Sequence, residues 1–178
     1  MDKFYLSTLI YRVSEGDIRA LEKIFNEMKD SIFAFVLMRT NNRQLSEDIL
    51  QETMLQIYNS AKSYKKFSNP KAWILTIARN NAVSAIRKTS REQELNIQKD
   101  NNTTSLLIDS KINAMEMLSV LSEDQREIVI LHAISGLKHK EIAKLLDIPL
   151  GTVCWKYNES IKILRKLKLT EKGVCCYD

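Results

Sequence analysis

Glycine and proline are scarce in this chain, 4 and 2 among 178 residues. An all-β fold with many tight turns draws heavily on both, so their shortage argues against that class and for helices. Cysteine is scarce as well. The three are Cys154, Cys175 and Cys176, and an odd count containing an adjacent pair is no disulfide framework. A structural zinc site needs about four ligands at characteristic spacings. Only His132 and His139 could join the cysteines, and the spacing is wrong. The expectation is reduced thiols, no metal and no cofactor. Long apolar runs are missing too. The longest, residues 31–38 and 72–78, fall far short of the ~20 residues that span a bilayer. The chain's start lacks a basic segment followed by an apolar core, so no secretory signal is visible. These absences lead to the expectation of a cytoplasmic, mostly helical protein with no membrane insertion.

What is present supports a folded chain. Hydrophobic residues make up 44% and charged residues 28%, enough to bury a core and stay soluble. The net charge of +5 is spread unevenly. Residues 62–88 carry seven basic side chains (Lys62, Lys65, Lys66, Lys71, Arg79, Arg87 and Lys88) and no acid. The same stretch holds Tyr64, Phe67 and Trp73. Lys and Arg neutralise phosphates, and aromatic rings offer stacking surfaces for exposed bases. A solvated basic face is the plainer alternative, but the lack of any acid beside three aromatics favours nucleic acid.

Apolar periodicity marks out the helices. A first helix covers about residues 3–13, with Leu6, Leu9, Ile10 and Val13 inward. Gly16 breaks it, and Asp17 caps a second from Ile18 to about Met28. Asp30 or Ser31 can cap a third, to about Arg39, and Asn41 with Asn42 forms a turn. Ser46 can cap the next, from Glu47 to about Lys62. Its Leu50, Met54, Ile57 and Ala61 fall on one side, while Asp48, Gln51, Glu52 and Leu55 fall on the opposite one. Pro70 suits the first turn of a helix running to about Lys88. Trp73, Ile74, Ile77, Ala78 and Ala85 form its apolar arc; Thr76, Asn80, Ser84 and Arg87 face away. The polar stretch that follows is the best linker candidate. Beyond it, Ser122 and Gln125 form a capping-box pattern, and Gly136 ends the helix they open. A short helix spans Lys138 to Leu146, and Pro149 opens a last one to about Leu169.

The expected class is therefore all-α: two small helical domains joined by a flexible linker, the second a helix-turn-helix. The boundaries expected are 1–90, a linker over 91–112, 113–172 and a tail over 173–178. Short helix, tight turn and longer helix is the arrangement that places one helix in a major groove. Ala143 is small where the helices cross, and Asp147 tolerates the left-handed backbone of a sharp turn. The last helix then presents Thr152, Trp155, Lys156, Glu159 and Lys162 outward, with Asn158 at its edge. Thr, Asn and Glu can reach base edges, and Lys neutralises phosphates. For Trp155 two readings stand: packing against a neighbouring domain, or contact with the groove or sugar backbone.

The stretch Ser46-Glu-Asp-Ile-Leu-Gln-Glu-Thr-Met-Leu-Gln-Ile-Tyr58 resembles the core-binding segment of bacterial sigma factors of the seventy family. So does Lys71-Ala-Trp-Ile-Leu-Thr-Ile-Ala-Arg-Asn80 with its trailing Ile86-Arg-Lys88. Leu121-Ser-Glu-Asp-Gln-Arg126, Gly136-Leu-Lys-His-Lys-Glu-Ile-Ala143 and Ile148-Pro-Leu-Gly-Thr-Val153 look like their fourth region. Order, spacing and length are similar to the small extracytoplasmic-function group, which keeps only the second and fourth regions. The resemblance implies that Asp48, Gln51, Glu52 and Leu55 bind the clamp helices of the largest RNA polymerase subunit. It implies that Tyr64, Lys65, Lys66, Phe67, Asn80 and Arg87 engage the minus-ten element, where opening the duplex is offset by holding a flipped base. Lys138, Thr152, Trp155, Lys156, Asn158, Glu159 and Lys162 would meet the minus-thirty-five element. The implied partners are core polymerase (its clamp helices and the flap of the second-largest subunit) and promoter DNA. An anti-sigma factor is usual in the group. No catalytic residue is implied. For Trp73 the core-packing reading is preferred. The chain departs from the family where basic residues usually follow the Gly-Thr-Val: Cys154, Trp155, Asn158, Glu159 and Ile161 stand there.

Two competing functions remain open on sequence. A stand-alone helix-turn-helix regulator would keep the last 60 or so residues but leave the Asp48–Glu52 face and the basic aromatic loop without a role. A metal nuclease would need an acid cluster that the basic stretch lacks.

Overall fold

The structure is a computed structural model. It describes the backbone of residues 3–65, 68–95 and 117–171, and the side chains of 3–65, 68–89 and 117–167. Among the described residues every regular element is a helix, and the chain divides into two compact units, residues 1–104 and 105–178. Of the expected linker (91–112), residues 91–95 continue the last helix of the first unit, and the rest, like the tail (173–178), lies outside the described residues.

The first unit contains α1 (Lys3–Ser14), α2 (Ile18–Thr40), α3 (Arg43–Ser60), a single 3-10 turn at Ala61–Ser63, and α4 (Pro70–Leu95). Gly16 takes a left-handed φ of 92° between α1 and α2, a conformation that carries no side-chain penalty in glycine. Asp17 then caps α2, its Oδ1 accepting the Ala20 N–H at 3.2 Å. The expected division of α2 into two helices is corrected. Ala20, Ile24, Met28, Ile32, Phe35 and Val36 form one unbroken buried stripe at helical spacing. Neither Asp30 nor Ser31 is a helix breaker, so packing carries the helix through them.

Asn41 turns the chain with φ 49°. The cap of α3 is Asn42, not Ser46: the Asn42 Oδ1 accepts the Leu45 N–H at 3.0 Å. Ser46 lies one turn further in, fully buried, its Oγ 2.6 Å from the Asn42 carbonyl and 2.7 Å from Thr40 Oγ1. The buried side of α3 is also rotated from the expected one. Ile49 and Thr53 join Met54 and Ile57 in the core, and Leu50 is only half-buried. Thr53 Oγ1 donates to the Ile49 carbonyl at 2.7 Å and accepts from Asn81 Nδ2 at 3.3 Å. That chain of bonds ties α3 to α4 inside the core.

Pro70 does open α4. Asn69 caps it, its Oδ1 accepting from the Lys71 N–H at 3.0 Å, while proline fills the first helical position, whose N–H would have no partner. Ile74, Leu75, Ile77, Ala78 and Ala82 are buried along it. Trp73 and Ala85, expected in the core, are half-buried. The helix runs to Leu95, past the expected end near Lys88, because no glycine or proline intervenes. The α2 helix packs against α1, α3 and α4, so its stripe is the centre of this unit's core.

The second unit contains α5 (Glu123–Ala133), α6 (His139–Leu146) and α7 (Leu150–Glu171). Ser122 and Gln125 form the expected capping box: Ser122 Oγ accepts the Gln125 N–H at 3.4 Å, and Gln125 Oε1 accepts the Ser122 N–H at 3.1 Å. Arg126 donates to the carbonyls of Leu118, Ser119 and Leu121 at 2.9, 3.2 and 3.1 Å, fastening the segment before α5 onto it. Gly136 has φ 67° and Asp147 φ 56°, so both predicted turns use the left-handed region. Ile128, Ile130, Leu131, Leu137, Ile142 and Val153 make the core. Helices α6 and α7, joined through Asp147 and packed on each other and on α5, form the helix-turn-helix.

Candidate functional site

Three exposed surfaces carry the residues singled out in the sequence. The first is a ridge on α3. Asp48, Gln51, Glu52 and Leu55 are all exposed on the side opposite Ile49, Thr53 and Ile57. Leu55 is 59% exposed. A leucine held in water beside two carboxylates offers apolar area next to charge, a combination found in partner surfaces. Tyr58, one turn beyond Leu55, is 44% exposed and extends the ridge. It was not among the residues expected there, although its i+3 spacing from Leu55 places it on the same side of the helix.

The second surface belongs to α4 and the segment before it. Asn80, Ser84 and Arg87 are exposed at i, i+4 and i+7, one face of the helix. Lys65 is exposed at the start of the preceding segment. Lys66 and Phe67 lie outside the described residues. Tyr64 is half-buried and firmly held. Its hydroxyl donates to the Ser68 carbonyl at 2.9 Å, which uses its one proton. The Ser7 hydroxyl, 2.6 Å away, is then the donor in their shared bond. The Tyr64 ring meets Trp73 edge to face, with centroids 5.3 Å apart. Tyr64 and Trp73 thus brace the segment against α1 and α4.

The third surface is the outer side of α7. Val153 and Ser160 are buried on its inner side. Trp155 stands at the centre of the opposite side, 62% exposed. Asn158 is exposed beside it, and Thr152 is half-buried one turn before. Glu159 and Lys162 pair with each other at 2.8 Å. Lys156 points back from this face and pairs with Asp124 in the first turn of α5. Lys138 is exposed at the N-cap of α6, its backbone N–H donating to Glu141 Oε2 at 2.9 Å. Leu150, 46% exposed at the first position of α7, adds apolar surface there.

Behind this face sits a cluster that the sequence did not suggest. The rings of His132, His139 and Tyr157 lie with all three pairs of centroids 4.8 Å apart. His132 Nδ1 is 2.8 Å from the Leu137 carbonyl, so that nitrogen carries a proton. Cys154 Sγ lies 3.5 Å from His139 Nδ1, and His139 Nε2 is buried with no hydrogen-bond partner. Burial, and secondarily the neighbouring His132, hold the His139 imidazole below its ordinary pKa. The cluster packs α5, α6 and α7 together. Among the described residues no group of three His, Cys, Asp or Glu side chains is arranged to hold a metal ion.

The family description "Sigma-70 region 2" matches residues 24–92, and "Sigma-70, region 4" matches residues 111–153. The first holds the α3 ridge and the α4 face; the second ends at the start of α7. The chain is 30% identical over 137 residues to the extracytoplasmic-function (ECF) RNA polymerase sigma factor EcfG of Rhodopseudomonas palustris, covering 73% of this chain and 75% of that one. It is 26% identical over 171 residues to ECF sigma factor SigK of Mycobacterium sp. (strain JLS), covering 90% and 89%. Among solved structures, the sigma factor RpoE of Bartonella quintana, in complex with the anti-sigma factor NepR, superposes with TM-score 0.67 at 26% identity, covering 82% of this chain and 94% of that one. CnrH, in complex with the cytosolic domain of CnrY, has the same fold, with TM-score 0.70 at 16% identity over 92% and 96%. The chain belongs to the ECF group of sigma-70 factors, alternative sigma factors that direct RNA polymerase to promoters.

Proposed function

We propose that the three surfaces divide the work of initiation among them. The α3 ridge of Asp48, Gln51, Glu52 and Leu55 grips the clamp helices of the largest polymerase subunit, with Tyr58 enlarging the contact. The observation that carries this is Leu55, exposed one turn beyond Glu52 on a helix whose opposite side is the core. The α4 face of Asn80 and Arg87, with Lys65, Lys66 and Phe67 before it, holds the opened minus-ten strand. Tyr64 acts as a positioning residue, since its hydroxyl and ring are already engaged. The outer face of α7, with Lys138 from α6, reads the minus-thirty-five element in duplex form. Region 4 also meets the flap of the second-largest subunit.

In this reading residues 1–90 serve core binding and strand opening, 113–172 serve duplex recognition, and 91–112 tether them. The chain works in the cytoplasm, where the polymerase is, and the bond-making chemistry belongs to the core enzyme. Two of the similar solved structures are complexes, RpoE with the anti-sigma factor NepR and CnrH with a domain of CnrY. An inhibitory partner of this kind fits the present chain as well. A stand-alone regulator is not favoured, because region 2 would then have no role.

The direct test is charge reversal. Asp48→Lys with Glu52→Lys puts two cations where the partner meets two anions. Both side chains are exposed, so circular dichroism should be unchanged while binding to purified core polymerase falls at least tenfold, more than about 1.4 kcal/mol. Unaltered core binding would refute the assignment.

A further inference from the structure

We infer that Trp155 selects thymine in the minus-thirty-five element, laying its indole against the methyl group that thymine exposes in the major groove. This deepens the proposed reading of α7 as the groove-entering helix and rests on it.

The helix sorts its large side chains sharply. Tyr157 turns inward against His132 and His139, and Cys154 turns towards His139. Trp155, between them, stands in water at 62% exposure. It occupies the centre of the side opposite Val153 and Ser160. The charged groups around it are already engaged. Lys156 is drawn back to Asp124, and Lys162 is matched by Glu159. The most prominent group this face offers the floor of a groove is therefore an apolar ring with one N–H donor.

Base chemistry identifies what that ring fits. In the major groove guanine, adenine and cytosine show hydrogen-bonding groups, whereas thymine shows a C5-methyl beside its O4 acceptor. An indole offers both complements, apolar surface for the methyl and N–H for the oxygen. A Trp packed against another protein would be indifferent to that methyl.

Uracil tests this, because it is thymine without the methyl and pairs identically. The probe is the promoter duplex that holoenzyme, assembled from core polymerase and the full chain, selects from a random-sequence pool. Each thymine of its upstream element is replaced in turn by deoxyuridine. Binding by wild-type holoenzyme should weaken about fourfold at one or two positions, the worth of one buried methyl. Holoenzyme with Trp155→Ala should bind the thymine duplex more weakly and show no further loss with uracil at those positions. Equal binding of thymine and uracil duplexes by the wild type at every position would overturn the inference while leaving duplex recognition by α7 intact. Undiminished uracil sensitivity in Trp155→Ala would overturn it too. If the wild-type holoenzyme selects no upstream element at all, the groove reading fails and this inference with it.

Discussion

His139 is the residue through which pH should act on the second unit. Its imidazole sits among His132, Tyr157 and Cys154, with Nε2 buried and unpartnered. Burial first, and the nearby His132 second, lower its pKa from 6.5. The unfolded chain therefore takes up a proton at higher pH than the folded one does. The stability that the neutral ring contributes is fully present above pH 6.5 and is lost as pH falls below it, through the folded value. Hydrogen-exchange protection of α5–α7 amides should drop between pH 7.5 and pH 5.5, and the drop should shrink in His139→Gln. A pH-independent pattern would contradict the neutral packing role. None of this was legible in the sequence. His132 and His139 are seven positions apart, and the ring contact depends on how α5 meets α6 and α7. The Ser46 cap failed for a related reason. Asn42 and Ser46 are both good caps by type, and only the buried stripe of α3 decides which of them lies at the end.

At the scale of the element, patterns that depend on one helix alone were the most legible. The Asp48, Gln51, Glu52 and Leu55 ridge followed from periodicity and is exposed as expected. The Ser122–Gln125 box and the Asp147 turn followed from local chemistry. Where helices meet, the sequence said less. Thr53 is polar, so periodicity passed over it, yet it is buried and bonded to Asn81 of α4. The single α2 was read as two because Asp30 and Ser31 resemble a cap, although the apolar spacing continues past them. On α7 the pairing of Lys156 was invisible, since Asp124 is 32 positions away. It bears on salt dependence. Lys162→Ala removes an exposed cation and should flatten the slope of duplex affinity against salt by about one unit per lost phosphate contact. Both lysines are paired, but Lys156→Ala should flatten it less, because the Lys156 side chain is only 23% exposed where it meets Asp124, against 69% for Lys162 beside Glu159. Equal effects from both substitutions would mean that Lys156 leaves Asp124 on binding DNA.

The whole molecule places an acid-and-leucine ridge and a basic face on one unit, and a helix with an exposed indole on the other. Each is exposed on a helix whose opposite side is packed, so the scaffold holds every surface without help from the ligand. The two-unit, all-helical plan was legible because scarce glycine and proline, helical spacing and two motif sets agreed. The central claim is that this chain, through the α3 ridge, brings polymerase to chosen start points. Run-off transcription measures it directly. Core polymerase with the wild-type chain should yield discrete transcripts from genomic fragments that core alone leaves silent, and the Asp48→Lys, Glu52→Lys chain should yield none. Identical transcripts with both chains, or with core alone, would contradict the account.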